Sequence, residues 1–267
     1  MEVFFGHNTG LGDYILMNGA LRWMLSQDEI SKVIYLAQVC PNKRKHVQAM
    51  YSDIADHPKL NMILEPRGAT FPHQRRKIKL WHKKFPASEI RAWAWGTARW
   101  RQGMVENSLD PDRDCWTEMF YSLCKVPYRA RHKNAYIPRN QDREERLIKE
   151  IGIPKEFVFC ADWGGSKRWR YSLEPETDLP IINPKFYRHL NLRYTMFDWM
   201  GILERASEIY TIDTGWFHLI KTMRLNKPKY LYNARGDVLR NCATSFYLND
   251  PLDSGWALID KNNKQLF

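Results

Sequence analysis

The sequence predicts an α/β protein whose two halves each contain a parallel sheet with helices packed against it. In the first half, apolar runs at 3–5, 33–36 and 62–64 alternate with segments of helical periodicity. Such alternation is typical of strand–helix units that build a parallel sheet. The pattern restarts after a charged helix predicted over 141–151, which Gly152 and Pro154 end.

The second half predicts its own set of strands and helices. Its strands are expected at 157–161, 181–182, 209–212 and 229–232, with helices near 196–206 and 216–224. We therefore place the domain boundary near residue 150, which gives domains over 1–150 and 151–267.

The bulk properties indicate a folded protein without a membrane span. Of its 267 residues 44% are hydrophobic, and no run approaches the length of a membrane-spanning helix. The N-terminus lacks the features of a secretory signal. The five cysteines form no Cys-x-x-Cys pair and no zinc-type cluster, which favours reduced thiols and a cytoplasmic location.

A glycine-containing turn links the first strand to the first helix. Strand 3–5 leads into the loop 6–12, and Asp13 lies in the first helical turn. This order places Asp13 beyond the carboxyl edge of the sheet, where a carboxylate could act as a catalytic base or could simply cap its helix. The turn has neither the G-x-G-x-x-G spacing of dinucleotide-binding folds nor the Gly-Lys-Ser/Thr of a P-loop.

Two further strand–turn motifs lie in the second half. Strand 157–161 is followed by the loop Gly164-Gly165-Ser166-Lys167-Arg168-Trp169, and strand 209–212 by Asp213-Thr214-Gly215 and a helix that contains His218. The start of such a helix presents backbone N–H groups that can bind phosphate oxygens. His218 taken alone could equally be a satisfied core histidine.

Together these motifs resemble glycosyltransferase family 9, whose best-known members are the ADP-heptose:lipopolysaccharide heptosyltransferases. The matching features are Gly12-Asp13, Leu21-Arg22 and the two turns of the second half, in the family's order. The resemblance implies a GT-B fold, with two Rossmann-like α/β domains facing a central crevice. It also implies that the N-terminal domain binds the acceptor and the C-terminal domain binds a nucleotide-sugar donor.

The resemblance assigns roles to particular residues. Asp13 is the expected catalytic base, and one carboxylate without a covalent partner suggests a single inverting displacement. No Asp-x-Asp motif stands near these residues, so we expect neither a metal nor a cofactor beyond the nucleotide-sugar co-substrate. The residues expected to bind the donor are Gly165, Ser166, Lys167, Asp213, Thr214, Gly215 and His218.

The chain departs from the family in one donor segment and in one basic segment. Residues 182–194 contain neither the glycine-rich turn nor the acidic residue that the family uses for the donor ribose. Residues 67–101 contain ten Lys and Arg against a single acid, Glu89, and account for most of the net charge of +11. Oligomeric state, sugar and nucleotide do not follow from either feature.

The basic segment interleaves its cations with aromatic side chains, a combination that suits binding to nucleic acid. The alternative is a solvated basic face that covers core tryptophans. With the glycine before the base included, the candidate acceptor-binding residues are Gly12, Arg75, Arg76, Lys83, Lys84, Trp93 and Trp95.

Three functional hypotheses follow. The first is a glycosyltransferase that modifies DNA, with a hydroxymethylated pyrimidine in phage-type DNA as acceptor, flipped out of the duplex. The second is a heptosyltransferase-like enzyme that acts on lipopolysaccharide core or another surface glycan. The third is a non-catalytic nucleic-acid-binding protein on the same scaffold.

Overall fold

The fold was analysed in a computed structural model, in which the chain divides into two compact units, Met1–Pro138 and Arg139–Phe267. Side chains at positions 7, 71–75, 78 and 90 are not described. The residues that the structure describes are 1–7, 10–67, 71–91, 120–122, 124–163, 173–232 and 255–259.

The first unit contains a four-stranded parallel sheet with strand order β3-β2-β1-β4. The register aligns Val3 of β1 with Val33 of β2, and Val33 with Leu60 of β3. The strands are β1 (Glu2–His7), β2 (Lys32–Val39), β3 (Leu60–Pro66) and β4 (Glu89–Ile90). The helices are α1 (Leu11–Leu25), α2 (Arg44–Met50), α3 (Phe71–His82) and α4 (Ala130–Lys133), with a 3-10 turn at Pro41–Lys43.

Helix α1 is buried on most of its circumference because it packs on the sheet and also against α4. Every residue from Tyr14 to Leu21 is buried. A Cβ atom added at Gly19 would lie 2.4 Å from the carbonyl oxygen of Ala130, so only glycine allows this approach of α4. The tight packing fixes α1, and with it the turn that precedes it, on the carboxyl edge of the sheet.

The second unit contains a five-stranded parallel sheet with strand order β6-β5-β7-β8-β9. Its strands are β5 (Val158–Ala161), β6 (Ile181–Ile182), β7 (Glu208–Ile212), β8 (Lys229–Tyr232) and β9 (Trp256–Ile259). Its helices are α5 (Gln141–Ile151), α6 (Met200–Arg205) and α7 (Gly215–Met223), with 3-10 segments at Pro184–Leu192 and Met196–Trp199.

Helix α5 belongs to the second unit, although the sequence boundary near residue 150 assigned it to the first domain. It pairs with the segment around α6: Arg143 of the helix contacts the carboxylate of Asp198 at 2.9 Å, and Arg139, just before the helix, contacts Glu204. Gly152 ends α5 with a φ of +67°, a left-handed conformation that glycine adopts without strain. The unit division therefore falls before α5, between Pro138 and Arg139.

The predicted strands are present in both units, and each sheet is parallel as expected. The predicted helix 196–206 forms as a 3-10 turn that continues into α6, and Thr195 and Asp198 form a capping box at its start. The periodic pattern did not predict the two-residue strand β4 or the strand β9.

The described cysteines Cys40, Cys124 and Cys160 are free thiols. Burial raises the pKa of the Cys124 thiol to about 12 and that of the Cys160 thiol to about 12. Both are therefore protonated and poorly nucleophilic near neutral pH.

Candidate donor-binding and acceptor-binding sites

The turn between β7 and α7 is the best-defined candidate site in the second unit. Strand β7 ends at Ile212, Asp213 and Thr214 form the turn, and α7 starts at Gly215. Thr214 is the N-cap residue in an extended conformation, and its side chain makes no capping hydrogen bond. The first-turn N–H groups of α7 therefore receive no cap from this side chain, although a helix start normally needs such acceptors.

The hydroxyl group of Thr214 also lacks a hydrogen-bond partner among the described residues. The side chain is only 8% exposed, and Oγ1 has no hydrogen-bond partner among the residues that the structure describes. Buried hydroxyl groups in folded proteins are nearly always hydrogen-bonded. An unsatisfied hydroxyl at a helix N-cap whose side chain makes no cap is an arrangement suited to an anionic ligand.

His218 lies one turn into α7, and its imidazole is close to the acid of the turn. The Nε2 atom is 3.6 Å from Oδ1 of Asp213, which is too long for a hydrogen bond but close enough for an electrostatic contact if the ring is protonated. His218 is 5% exposed, whereas a quarter of the Asp213 side chain is exposed. The structure thus brings together Asp213, Thr214, Gly215 and His218, four of the seven predicted donor-binding residues.

The other three, Gly165, Ser166 and Lys167, lie outside the described residues. They follow β5, which pairs directly with β7 in parallel register.

The same edge of the sheet carries a buried polar cluster that the sequence analysis missed. Asp162 directly follows β5 and is 1% exposed. Its Oδ1 accepts a hydrogen bond from Nδ2 of Asn183 at 2.9 Å, and its Oδ2 accepts one from the ammonium group of Lys185. An acid directly after a buried strand was the available signal, but its partners lie more than twenty residues away in the sequence.

In the first unit, Asp13 occupies the third position of α1. Its Oδ2 atom accepts a hydrogen bond from the backbone N–H of Gly10 at 2.8 Å. The capping role considered from the sequence is therefore real. The same bond holds the partly exposed carboxylate in one orientation at the carboxyl edge of the sheet, so capping and a role as base are compatible. Gly12 lies beside it in the first turn.

The Leu21-Arg22 pair of the family pattern has a structural role in this chain. Leu21 is fully buried, and Arg22 makes two hydrogen bonds of 2.8 Å to the carboxylate of Asp53. Its Nε atom also donates to Oδ1 of the buried Asn18, which in turn accepts the backbone N–H of Tyr136. Arg22 therefore secures α1 to neighbouring segments rather than contributing to a site.

The described part of the basic segment forms α3 and the turn after it. Trp81 and Phe85 pack against the core cluster of Phe4, Ile34 and Leu36, so for these two aromatic residues the core interpretation is correct. The exposed cations in this stretch are Arg76, Lys79, Lys83 and Lys84, whereas Arg91 is buried and pairs with Glu89. The side chain of Arg75, and Trp93 and Trp95 entirely, lie outside the described residues.

The described residues contain neither a candidate metal site nor a candidate membrane span. No cluster of three or more His, Cys, Asp or Glu side chains that could hold a metal ion occurs among them. In the same part of the chain, no helix is long and apolar enough to cross a membrane.

Comparison with known proteins gives similarity at the level of structure only. No protein-family model matches the chain, and no curated protein sequence matches it.

Among solved structures, the chain is similar to a glycosyl transferase family 9 protein from Veillonella parvula, with a TM-score of 0.56 and 10% identity over 98% of this chain and 86% of that one. E. coli ADP-heptose lps heptosyltransferase II also matches, with 14% identity over 87% of this chain and 84% of that one, at a TM-score of 0.46. The first similarity confirms the predicted fold class, two Rossmann-like α/β units as in GT-B glycosyltransferases.

Proposed function

We propose that this chain is a glycosyltransferase that moves a sugar from a nucleotide donor to a hydroxyl group of an acceptor. The observation that carries the proposal is the N-cap of α7, where the Thr214 side chain makes no capping hydrogen bond and its hydroxyl is buried without a partner among the described residues. It supports an anion site at the carboxyl edge of the sheet, where nucleotides bind in α/β folds. The similarity in fold to a family 9 glycosyl transferase favours a nucleotide sugar over other anions.

The donor diphosphate would bind at the turn that Asp213 and Thr214 form. Backbone N–H groups at the start of α7 and the Thr214 hydroxyl would donate hydrogen bonds to phosphate oxygens. His218, next to Asp213, would add a further donor, and Lys167 would add a positive charge. Fixed donors of this kind stabilise the charge that develops on a leaving diphosphate, and they need no metal ion to do so.

The chemical step we propose is a single displacement. The acceptor hydroxyl oxygen attacks the anomeric carbon of the sugar while the bond from that carbon to the diphosphate oxygen breaks. The electron pair of the broken bond stays on the nucleoside diphosphate, and the hydroxyl proton passes to the carboxylate of Asp13. Attack opposite to the leaving group inverts the anomeric configuration. The Gly10 N–H fixes one oxygen of Asp13, which orients the carboxylate for this role.

For the acceptor, we propose DNA that carries a hydroxymethylated pyrimidine. The exposed cations of α3 and the following turn form a basic surface on the first unit, which contains the proposed base. Such a surface would neutralise phosphates of the DNA backbone. The pyrimidine would have to leave the base stack to reach Asp13. A phosphorylated glycan, such as lipopolysaccharide core, is the alternative acceptor, because its phosphates carry the same negative charge.

A transfer assay tests the proposed activity. The purified protein is offered a panel of radiolabelled sugar nucleotides together with hydroxymethylated duplex DNA, unmodified DNA or lipopolysaccharide. We expect label to appear in hydroxymethylated DNA only. Label in lipopolysaccharide alone would select the glycan alternative. DNA binding without transfer from any donor would favour a non-catalytic protein, and the Asp13→Asn variant serves as the background.

Salt dependence tests the basic surface separately. Each phosphate contact adds about −0.9 to the slope of log affinity against log salt concentration. The Lys83→Gln/Lys84→Gln variant should therefore bind DNA with a shallower slope than the wild type. A matched control is Lys149→Gln/Lys155→Gln, which removes two exposed cations from the second unit. Equal slopes in all three proteins would remove this surface from the proposal.

A further inference from the structure

The buried acid at the end of β5 has no role in the function proposed above. Asp162 is 1% exposed, yet it carries a carboxylate, and burying a carboxylate is unfavourable unless it is paired. Its two oxygens are bound by Asn183 and by Lys185. Asn183 in turn accepts the backbone N–H of Lys185 at 3.0 Å, which fixes the start of the segment that carries the lysine.

This pairing brings the Lys185 ammonium group to the neighbouring strand. Lys185 follows β6, but its Nζ atom is bound to Asp162, which directly follows β5. Strand β5 lies between β6 and β7 in the sheet, and the turn with Thr214 follows β7 at the same edge. Neighbouring strands lie about 4.8 Å apart. The ammonium group is therefore held at the end of β5, the strand that neighbours the one leading to the proposed diphosphate site.

The sequence around Lys185 is suited to an anion. Residues 183–194 contain no Asp or Glu, whereas Lys185, Arg188, His189 and Arg193 are basic. In dinucleotide-binding α/β folds, an acid at the end of the second strand binds the ribose hydroxyls. Here Asp162, the acid at the end of the neighbouring strand, has a partner on each carboxylate oxygen. The charged residue that follows β6 is the cation Lys185 rather than an acid.

We propose that Lys185 is a donor-binding residue that contacts a phosphate oxygen of the nucleoside diphosphate, and that Asp162 and Asn183 are its positioning residues. An ammonium group carries three N–H donors, of which the Asp162 contact uses one. The side chain of Lys185 is 26% exposed, so it is not sealed inside the unit by its contact with Asp162. The inference rests on the proposed function, because it takes the ligand to be the nucleotide of the donor.

Calorimetric titration of the full chain with ADP, UDP, GDP and CDP tests this role. For the nucleoside diphosphate that the wild type binds best, Lys185→Met should raise Kd by about tenfold or more. This is the usual effect of losing a charge-assisted hydrogen bond. Lys185→Arg keeps the charge and should stay within about threefold of the wild type. Lys155→Met is the matched control, because Lys155 is an exposed lysine before the opposite end of β5, and its Kd should not change.

A double variant separates ligand binding from folding. Lys185→Met alone leaves the buried Asp162 without its cation and should lower the melting temperature. Asp162→Asn/Lys185→Met removes both charges and should recover much of the melting temperature, while Kd stays as weak as in the single variant. A double variant that binds like the wild type would show that Lys185 only neutralises Asp162, which overturns the inference alone. If the wild type binds none of the four diphosphates, the proposed function fails and the inference fails with it.

Discussion

Helices α1 and α7 both start at the carboxyl edge of a parallel sheet, but their first turns differ in a way that suggests different tasks. At α1, the carboxylate of Asp13 accepts the N–H of the N-cap residue Gly10, so the acid of the first turn is tied to the N-cap. At α7, the N-cap residue Thr214 makes no side-chain cap, and its hydroxyl is buried without a partner among the described residues. The first arrangement orients a carboxylate, whereas the second leaves donors for an anion.

The difference shows that similar strand–turn–helix patterns cannot be assigned the same ligand. Both turns contain glycine and an acid next to an apolar helix. The position of the acid decides the outcome: Asp13 lies inside the first turn and reaches back to the N-cap, while Asp213 precedes the N-cap and lies beside His218.

The largest effect is expected from Asp13→Asn. Asparagine keeps an oxygen that can accept the Gly10 N–H but cannot take a proton, so turnover should fall by about 10²–10⁴. Unfolding free energy should change by less than about 1 kcal/mol. Asp13→Ala removes the cap as well, and urea unfolding should show an additional loss of about 1 kcal/mol. Near-normal turnover in Asp13→Asn would reduce Asp13 to a capping residue.

A smaller effect is expected from Thr214→Val, which replaces the hydroxyl by a methyl group of similar size. Loss of one hydrogen bond should weaken nucleoside diphosphate binding by about fivefold to tenfold. The melting temperature should not fall, because the hydroxyl has no partner among the described residues.

The matched control for this variant is Thr211→Val in the preceding strand. The Thr211 hydroxyl is buried like that of Thr214, but it donates to the carbonyl oxygen of Ile212 at 3.1 Å. Thr211→Val should therefore lower the melting temperature and leave diphosphate affinity unchanged. The opposite pattern, with lost stability at Thr214 and lost affinity at Thr211, would contradict the assignment of the α7 turn.

Gly10→Ala should lower stability and kcat modestly, because the change is confined to the α1 turn. A Cβ atom at this position would lie 3.3 Å from Oδ2 of Asp13, so the carboxylate has to shift by a few tenths of an ångström. Alanine is also a poor N-cap residue, and the helix should lose about 0.5–1 kcal/mol of stability. We expect kcat to fall by less than about tenfold with diphosphate affinity unchanged. A fall in diphosphate affinity would mean that the α1 turn also affects diphosphate binding, so that the two turns do not have separate functions.

Chelation of metal ions should have no effect on the transfer activity. If the N–H groups of α7 and the nearby cations stabilise the leaving diphosphate, activity in excess EDTA should equal activity without it. Activity that is lost in EDTA and restored by a divalent ion would replace the proposed electrostatic stabilisation by metal catalysis.

The sequence predicted the starts of α1 and α7 better than it predicted the elements that surround them. Apolar runs followed by glycine turns predicted β1, α1, β7 and α7, because strand, turn and helix each leave a local signal. Strand β4 has only the residues Glu89 and Ile90, too few for a period, and it forms because it pairs with Val3 and Phe4 of β1.

The interactions of Asp162 and Arg22 depend on contacts that are distant in the sequence. Asp162 looks like an ordinary loop residue until the fold brings Asn183 and Lys185 to it. Arg22 matched a family pattern, but its contacts with Asp53 and Asn18 give it a structural role that its sequence position does not indicate. The capping role of Asp13 was one of two alternatives that the sequence left open, and the bond from Gly10 confirms it within a single turn.

The most direct test of the account is one calorimetric experiment on three proteins. A nucleoside diphosphate is titrated into the wild type, Asp13→Asn and Thr214→Val under identical conditions. The account predicts equal affinity for the wild type and Asp13→Asn, and an affinity about fivefold to tenfold weaker for Thr214→Val. Affinity that depends on Asp13 and is unaffected by Thr214 would contradict it, because the diphosphate would then bind at the α1 turn rather than at the start of α7.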